Sequence, residues 1–284
     1  MQAHRFTVIT PCYNAETHIE TTLRSVLESE VLSCGDVELE YIVCDGGSRD
    51  DTIRIVDAAF SKTIRKNCST EIISEKDRGM YDAIAKGLAM ASGSIITYIN
   101  AGDFFSPYAL TVVTDIFQRQ PVEWLTGLSV LYNEMRHITG VWLPYRYQRR
   151  LIRAGYYDHR RLPFIQQAGT FWSADLNRRL DLDRLKALRY AGDFLLWKTF
   201  SFFADLYIIE TWLAGHMIHR NQLSADMSRY YAEMDALRNR ATFADRLHAH
   251  AVKPLWYLPN GAKKILNRKT LFRFDPQQQE YTLT

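Results

Sequence analysis

The chain has 284 residues, 47% of them hydrophobic and 24% charged, with a formal net charge of +3. That is enough to bury a sizeable core, as one large α/β domain with an extension or as two small domains. No apolar run approaches the ~20 residues that span a bilayer, and Met1-Gln2-Ala3-His4-Arg5 leads straight into a strand, so neither a membrane span nor a signal peptide is expected. Cys12, Cys34, Cys44 and Cys68 show no C-x-x-C spacing, and reduced cytoplasmic thiols are expected rather than disulfides or zinc ligands.

Phe6-Thr7-Val8-Ile9-Thr10 reads as a first strand stopped by Pro11. Ile19, Leu23, Val26 and Leu27 then mark one face of a helix. Glu40-Tyr41-Ile42-Val43-Cys44 is a second strand ending at Asp45, and Ser48 or Asp50 can cap a helix carrying Ile53, Val56 and Phe60. Glu71–Ser74 is a short third strand. A helix with Ile84, Leu88 and Ala91 inward is broken by Ser92-Gly93-Ser94, and Ile95–Ile99 is the next strand, leading into Asn100-Ala101-Gly102-Asp103. Ser106-Pro107 starts a further helix with Leu110, Val113 and Phe117 buried. This alternation predicts a mainly parallel sheet with right-handed crossovers.

Ligands of such sheets sit outside the carboxyl ends of the strands. Asp45 and Asp103 both lie there, each beside glycine, which suits a hard cation and a phosphorylated ligand; capping of the next helix is the ordinary alternative for either. No Gly-x-Gly-x-x-Gly or Walker-type loop follows the first strand, which excludes a dinucleotide-binding dehydrogenase and a P-loop NTPase. The first turn is Thr10-Pro11-Cys12-Tyr13-Asn14, where Tyr13 is either a platform for a base or a core aromatic. Asp82 and Lys86, four apart on one helix, read equally as a surface ion pair.

Thr10–Asn14, Asp45-Gly46-Gly47-Ser48-Arg49-Asp50-Asp51-Thr52 and the stretch Glu75 to Gly87 together resemble the family 2 glycosyltransferases, inverting enzymes with the GT-A fold. The match is good over about the first 105 residues and looser to about residue 235. The resemblance implies a Rossmann-like, mainly parallel α/β sheet flanked by helices. Residues 1–105 form its nucleotide-binding half, 106–235 its acceptor half, and 236–284 a helical, basic, aromatic extension. It also implies transfer of a sugar from a nucleotide-diphosphate donor to a glycan or polyprenyl-diphosphate-linked acceptor in cell-surface polysaccharide synthesis. The alternative is a non-catalytic sugar-nucleotide-binding or scaffold protein on the same fold.

The resemblance places Thr10, Pro11, Tyr13, Asn14, Asp45, Gly46, Asp77, Gly79, Asp82, Lys86, Asn100, Ala101 and Gly102 around the donor, with Asp45 near a base ring. Asp103 becomes the ligand of a divalent cation, Mg²⁺ or Mn²⁺. The usual first acid of that motif is Asn100 here, and Ala85 replaces the usual Asn of the Glu75–Gly87 stretch. Asp193, in Tyr190-Ala191-Gly192-Asp193, is the expected general base, with an N-cap as its structural alternative. Gln167 and Trp172 fall on the acceptor side, although Trp172 also suits the core. His216, His219 and Gln222 are placed near the diphosphate.

From Ala236 onward there are nine Lys/Arg against three Asp/Glu, a net +6, whereas the first 235 residues carry a net −3. A second basic stretch, Tyr145 to Arg161, holds six arginines and four tyrosines. Cations among aromatics suit peripheral contact with a membrane's inner face. No nucleic-acid motif accompanies them, so nucleic acid is not an expected partner.

Overall fold

The computed structural model describes residues 4–35, 37–63, 65–218 and 227–284. Strands β1 (His4–Cys12), β2 (Val37–Asp45) and β3 (Cys68–Ser74) alternate with helices α1 (Ile19–Leu27), α2 (Val31–Cys34) and α3 (Thr52–Lys62). Helix α4 (Met80–Met90) leads to β4 (Ile95–Tyr98), β5 (Phe104–Phe105), α5 (Ala109–Arg119) and β6 (Trp124–Thr126). The hairpin β7 (Ser129–Tyr132) and β8 (Ile138–Trp142) precedes α6 (Arg149–Arg153), β9 (Phe171–Ser173), α7 (Ala174–Asn177) and α8 (Leu182–Lys186). Then come α9 (Gly192–Phe200), β10 (Tyr207–Ile209), β11 (Ala214–Met217), α10 (Met227–Leu237) and α11 (Phe243–Val252). A 3-10 turn (Lys253–Tyr257), α12 (Asn260–Leu266), β12 (Leu271–Asp275) and β13 (Glu280–Leu283) come last.

Among the described residues the main sheet runs β13-β12-β10-β6-β9-β4-β1-β2-β3, and a smaller one runs β5-β11-β7-β8. β1 pairs in parallel with both β2 and β4, so the order reverses at β1 and opens a crevice at the strands' carboxyl ends. The period-2 alternation sends neighbouring residues to two cores. Ile9, Ile42 and Ile96 join α4 and α9 on one face, while Val8, Val43 and Ile95 join α1, α3 and α5 on the other. Both faces are covered, which is why these strands read as continuous apolar runs.

The predicted helices form with the expected faces, although Ile53, Phe60, Ala91 and Phe117 are only half-buried. Pro11 does not stop β1, which continues to Cys12; proline's extended backbone fits a strand end, and the Cys12 carbonyl accepts from Gly46 N–H at 2.9 Å. The Ser106 side chain does not cap α5, which starts at Ala109 with its amide on the Ser106 carbonyl. Cys12, Cys44 and Cys68 are free thiols.

Two further expectations need correction. The segment 236–284 is helical only in part, because β12 and β13 extend the main sheet, β12 pairing in parallel with β10. It is stitched to the residues ahead of α6. Lys263 Nζ donates to the Leu143 carbonyl, and Asn267 bonds Pro144 O and Arg146 N, all at 2.9 Å. The stretch Tyr145 to Arg161 is not a membrane face either: its four tyrosines are buried. Arg150 pairs with Asp245, Arg160 and Arg161 hold the fully buried Asp158, and Arg149 caps the Ser201 and Phe202 carbonyls. No described helix is long and apolar enough to cross a membrane.

Candidate active site

The carboxyl ends of β1 and β2 are laced together. Asp45 is 2% exposed, and its carboxylate accepts from the amides of Gly47 (3.1 Å) and Ser48 (3.0 Å) and from the hydroxyls of Ser48 and Ser74. Ser48 Oγ accepts in turn from Asn14 N–H, and Asn14 Oδ1 accepts from Arg49 N–H. Asp50 and Thr52 bond Glu16 N–H and Ala15 N–H. Asp50 also accepts from Thr52 N–H, so it serves the start of α3 while Ser48 serves the crevice. The Cys12 thiol adds a fifth donor, to Asp45 Oδ1 at 3.8 Å, so the acceptor sites of this carboxylate are filled. Tyr13 is 61% exposed at the mouth of this loop, not in the core. Thr10 is buried and bonds Tyr41 Oη, and Pro11 is buried too, so these two shape the strand end from below.

The loop after β3 leans on the same turn. A Cβ on Gly46 would come within 2.6 Å of Asp77 Oδ2, so glycine there admits that carboxylate. Burial pushes the Asp77 carboxyl up, against the Gly79 N–H that it accepts at 2.9 Å. Asp82 is buried in the first turn of α4 and takes the Arg78 amide. Lys86 reaches Glu75 at 2.8 Å rather than Asp82; burial lowers its pKa, but Glu75, Asp82 and Asp77 together raise it above the usual lysine value. The simple surface pair is therefore not formed.

Beyond β4 the Asn100–Asp103 turn is pinned by Thr22, whose hydroxyl accepts from Gly102 N–H (2.8 Å) and donates to the Asp103 carbonyl (2.7 Å). Ala101 sits inside this turn in a bridge to Asp103. The Asp103 side chain is 3% exposed and faces β11, accepting Met217 N–H at 2.8 Å and lying 3.1 Å from His216 Nδ1. Burial lowers the His216 pKa, but the adjacent Asp103 carboxylate overrides it, so the imidazole titrates above its usual value. Gly215 is required beside it, because a Cβ would strike the Tyr132 ring at 1.8 Å. Asn100 Oδ1 is buried without a hydrogen-bond partner among the described residues. Asn100 Nδ2 donates to Gln167 Oε1 at 3.4 Å, and Gln167 donates to the Tyr98 carbonyl.

Asp193 lies in the first turn of α9, whose N-cap is Ala191. It is not a capping residue: its Oδ1 accepts from the next amide, Phe194, at 2.7 Å. Burial pushes its carboxyl up to about 6, against the Phe194 amide and the hydroxyls of Tyr230 and Tyr81. Tyr81 precedes Asp82 on α4, and its ring lies against Gly192, so the Asp193 turn touches α4. The loop ahead of α9 also meets Gly79, where a Cβ would lie 3.8 Å from Arg189.

A family model described as Glycosyl transferase family 2 matches residues 7–171, more than half of the chain. The chain belongs to glycosyl transferase family 2. Among curated proteins, the chain is similar to an Escherichia coli "Chondroitin synthase", 27% identical over 45% of this chain and 17% of that one. It is also similar to a "PGL/p-HBAD biosynthesis glycosyltransferase" of Mycobacterium bovis, 31% identical over 36% of this chain and 37% of that one. The matched part thus spans well under half of either relative. The fold is similar to S. aureus TarS 1-349 in complex with UDP-GlcNAc (TM-score 0.58, 14% identity, 94% and 71% of the two chains). It is similar too to the mannosyltransferase PcManGT from Pyrobaculum calidifontis in complex with GDP-Man and Mn²⁺ (0.57, 18%, 94% and 76%). The α/β architecture with its mostly parallel sheet is the GT-A fold of this family.

Of the family-motif residues, Tyr13, Asn14, Asp45, Gly46, Asp77 and Gly79 come from three adjoining loops, Asp82 and Lys86 from the first turn and the middle of α4, and Asn100–Asp103 from the turn beyond β4. Trp172 does not belong with them. It is fully buried among Tyr98, Trp197 and Phe200, with its indole N–H toward Asn177, so it builds the core. His219 and Gln222 lie outside the described residues. The sequence reading missed Tyr81 and Tyr230 beside Asp193. Tyr81 sat inside a matched motif, but the helix of Tyr230 carries no motif at all.

Proposed function

We propose that the protein transfers a sugar from a nucleotide-diphosphate donor to a hydroxyl of a glycan or lipid-linked acceptor, with inversion, in polysaccharide or surface-glycan synthesis. The observation that carries this reading is Asp193, a carboxylate held up to about 6 beside the donor-side helix. In that role it takes the proton of the acceptor hydroxyl as the new C–O bond forms and the anomeric bond to the diphosphate breaks, the electron pair leaving with the diphosphate. Inversion follows when attack and departure occur on opposite faces of the anomeric carbon.

Residues present fit a divalent cation. Asp103 and His216 form a carboxylate–imidazole pair, and the unpartnered Asn100 Oδ1 lies on the same turn. No cluster of three or more His, Cys, Asp or Glu occurs among the described residues, so diphosphate and water would complete the shell. A bound Mg²⁺ or Mn²⁺ would neutralise charge on the departing diphosphate. In this reading Tyr13 offers a ring to the base, Lys86 lies toward the donor, and Gln167 stands on the acceptor side of Asn100. The complexes of TarS with UDP-GlcNAc and of PcManGT with GDP-Man and Mn²⁺ support a UDP- or GDP-sugar donor.

The same reading places the protein at a cytoplasmic membrane surface, with 1–235 as the transferase unit and 236–284 as its contact. Helix α11 buries Asp245, Ala249 and Val252 and turns Phe243 (79% exposed) and Leu247 (63%) the opposite way, amid the excess of Lys and Arg. Replacing both with serine should cut co-sedimentation with anionic vesicles; unchanged binding rejects the contact. Release of nucleoside diphosphate from a panel of UDP- and GDP-sugars with Mg²⁺ or Mn²⁺ tests the activity. One donor should turn over with the native chain and none with Asp193→Asn; a panel with no turnover rejects the reading.

A further inference from the structure

Three consecutive amides just ahead of Asp193 converge on one carboxylate of another helix. Arg189, Tyr190 and Ala191 N–H donate to Glu233 on α10 at 3.0, 2.8 and 2.9 Å. They belong to the N-cap Ala191 and the two residues ahead of it, so the bonds fix the chain as it enters α9. One turn earlier on the same face of α10, the Tyr230 hydroxyl donates to the Asp193 carboxylate. Arg229 adds a third tie, donating to Tyr190 Oη at 2.8 Å.

Asp193 is half-buried and has further neighbours on other elements. From α4, Tyr81 donates to it, with its ring against Gly192; from β4, Tyr98 bonds Tyr81. Asp158, held by Arg160 and Arg161, faces Tyr230 from the loop after α6. Glu233 acts on the amides, not on the Asp193 carboxylate itself.

We propose that α10 is the positioning element for the base, Glu233 fixing the turn that presents Asp193 and Tyr230 fixing the rotamer of its carboxylate. This rests on Asp193 being the base. Tyr230 and Glu233 touch neither donor nor acceptor in this role; they act through Asp193. A hydroxyl that donates to a carboxylate favours its ionised form, so its removal makes the acid harder to ionise. Glu233 supplies three charge-assisted bonds, and an amide in its place turns an N–H₂ toward backbone donors.

The test combines carboxyl ¹³C NMR titration of Asp193 with pH–rate profiles, using the donor that turns over fastest in the UDP- and GDP-sugar panel with Mn²⁺. Tyr230→Phe should raise the Asp193 midpoint by about one pH unit and move the acid limb of kcat with it. Glu233→Gln should lower kcat at least tenfold while donor KM stays unchanged. If Asp193→Asn abolishes turnover, yet Tyr230→Phe moves neither midpoint nor limb and Glu233→Gln retains kcat, the positioning role is overturned and the base stands. If the midpoint moves but the limb does not, or Asp193→Asn stays active, the base assignment fails and the inference falls with it.

Discussion

Asp45 and Asp193 are both inward-facing carboxylates at element ends, yet their surroundings differ in kind. Asp45 is gripped by two amides and two hydroxyls of short, local loops. Asp193 sees one amide of its own turn and hydroxyls from α4 and α10, and burial keeps its carboxyl up near 6. The Asp45 donors tie neighbouring loops to one turn. At Asp193 burial outweighs the donors and favours the protonated form. The contrast separates a loop anchor on β2 from a proton-binding group on α9.

The largest effect should come from Asp193→Asn, which keeps the shape and removes the proton acceptor. A kcat loss of about 10²–10⁴ is expected in donor turnover with Mn²⁺. The same variant should be more stable than the native chain at alkaline pH. The folded-state pKa, about 6, lies above the ordinary aspartate value of 3.8. Native stability therefore falls as pH rises from about 4 through 6, a loss of up to about 3 kcal/mol. Urea melts at pH 4 and pH 8 read this directly: equal differences at both pH values would break the contrast. In the native enzyme, kcat should drop roughly tenfold per pH unit below about 6.

Asp103→Ala should remove at least about 10² of the Mn²⁺-stimulated rate, by loss of a cation ligand, while the Asp193 titration stays where it was. A shifted titration would mean that the two ends of the site are not independent. Asp45→Asn should act on stability first, costing about 2–3 kcal/mol in urea unfolding, because its amide nitrogen confronts fixed N–H donors. If it instead leaves stability intact and only weakens nucleotide affinity, Asp45 is a ligand contact and not a loop anchor. Trp172→Phe should have the smallest effect on activity, with kcat within about threefold and a stability loss of about 1–3 kcal/mol from the cavity left in the core.

The polar groups of residues 1–105 were legible because they follow their strands in sequence. Each of Asp45, Asp77 and Asp103 stands a few residues past an apolar run, and glycines 46, 79 and 102 announce where the backbone must bend or admit a neighbour. The contacts of residues 190–235 assemble across long separations. His216 meets Asp103 from 113 residues away, and Glu233 meets Tyr190 from 43. Spacing carries no signal for such pairs. Trp172 was ambiguous for a different reason: large aromatics serve cores and sugar sites alike, and only burial decides. β12 and β13 were hidden because charge and turn residues in 236–284 outweighed their short apolar alternation.

The way β12 lies alongside β10 has a practical consequence. β12 and β13 are the outermost members on that side of the main sheet, and they cover the open hydrogen-bonding rim of β10. Cutting the chain near residue 236 would bare that rim and the apolar side chains of Leu271's neighbours in the core, offering a template for chain-to-chain pairing. A shortened protein would therefore clump for reasons unrelated to lipid. The basic tail is a selvage that keeps the woven sheet from unravelling, so its outer face has to be studied by changing single side chains with the cloth left whole.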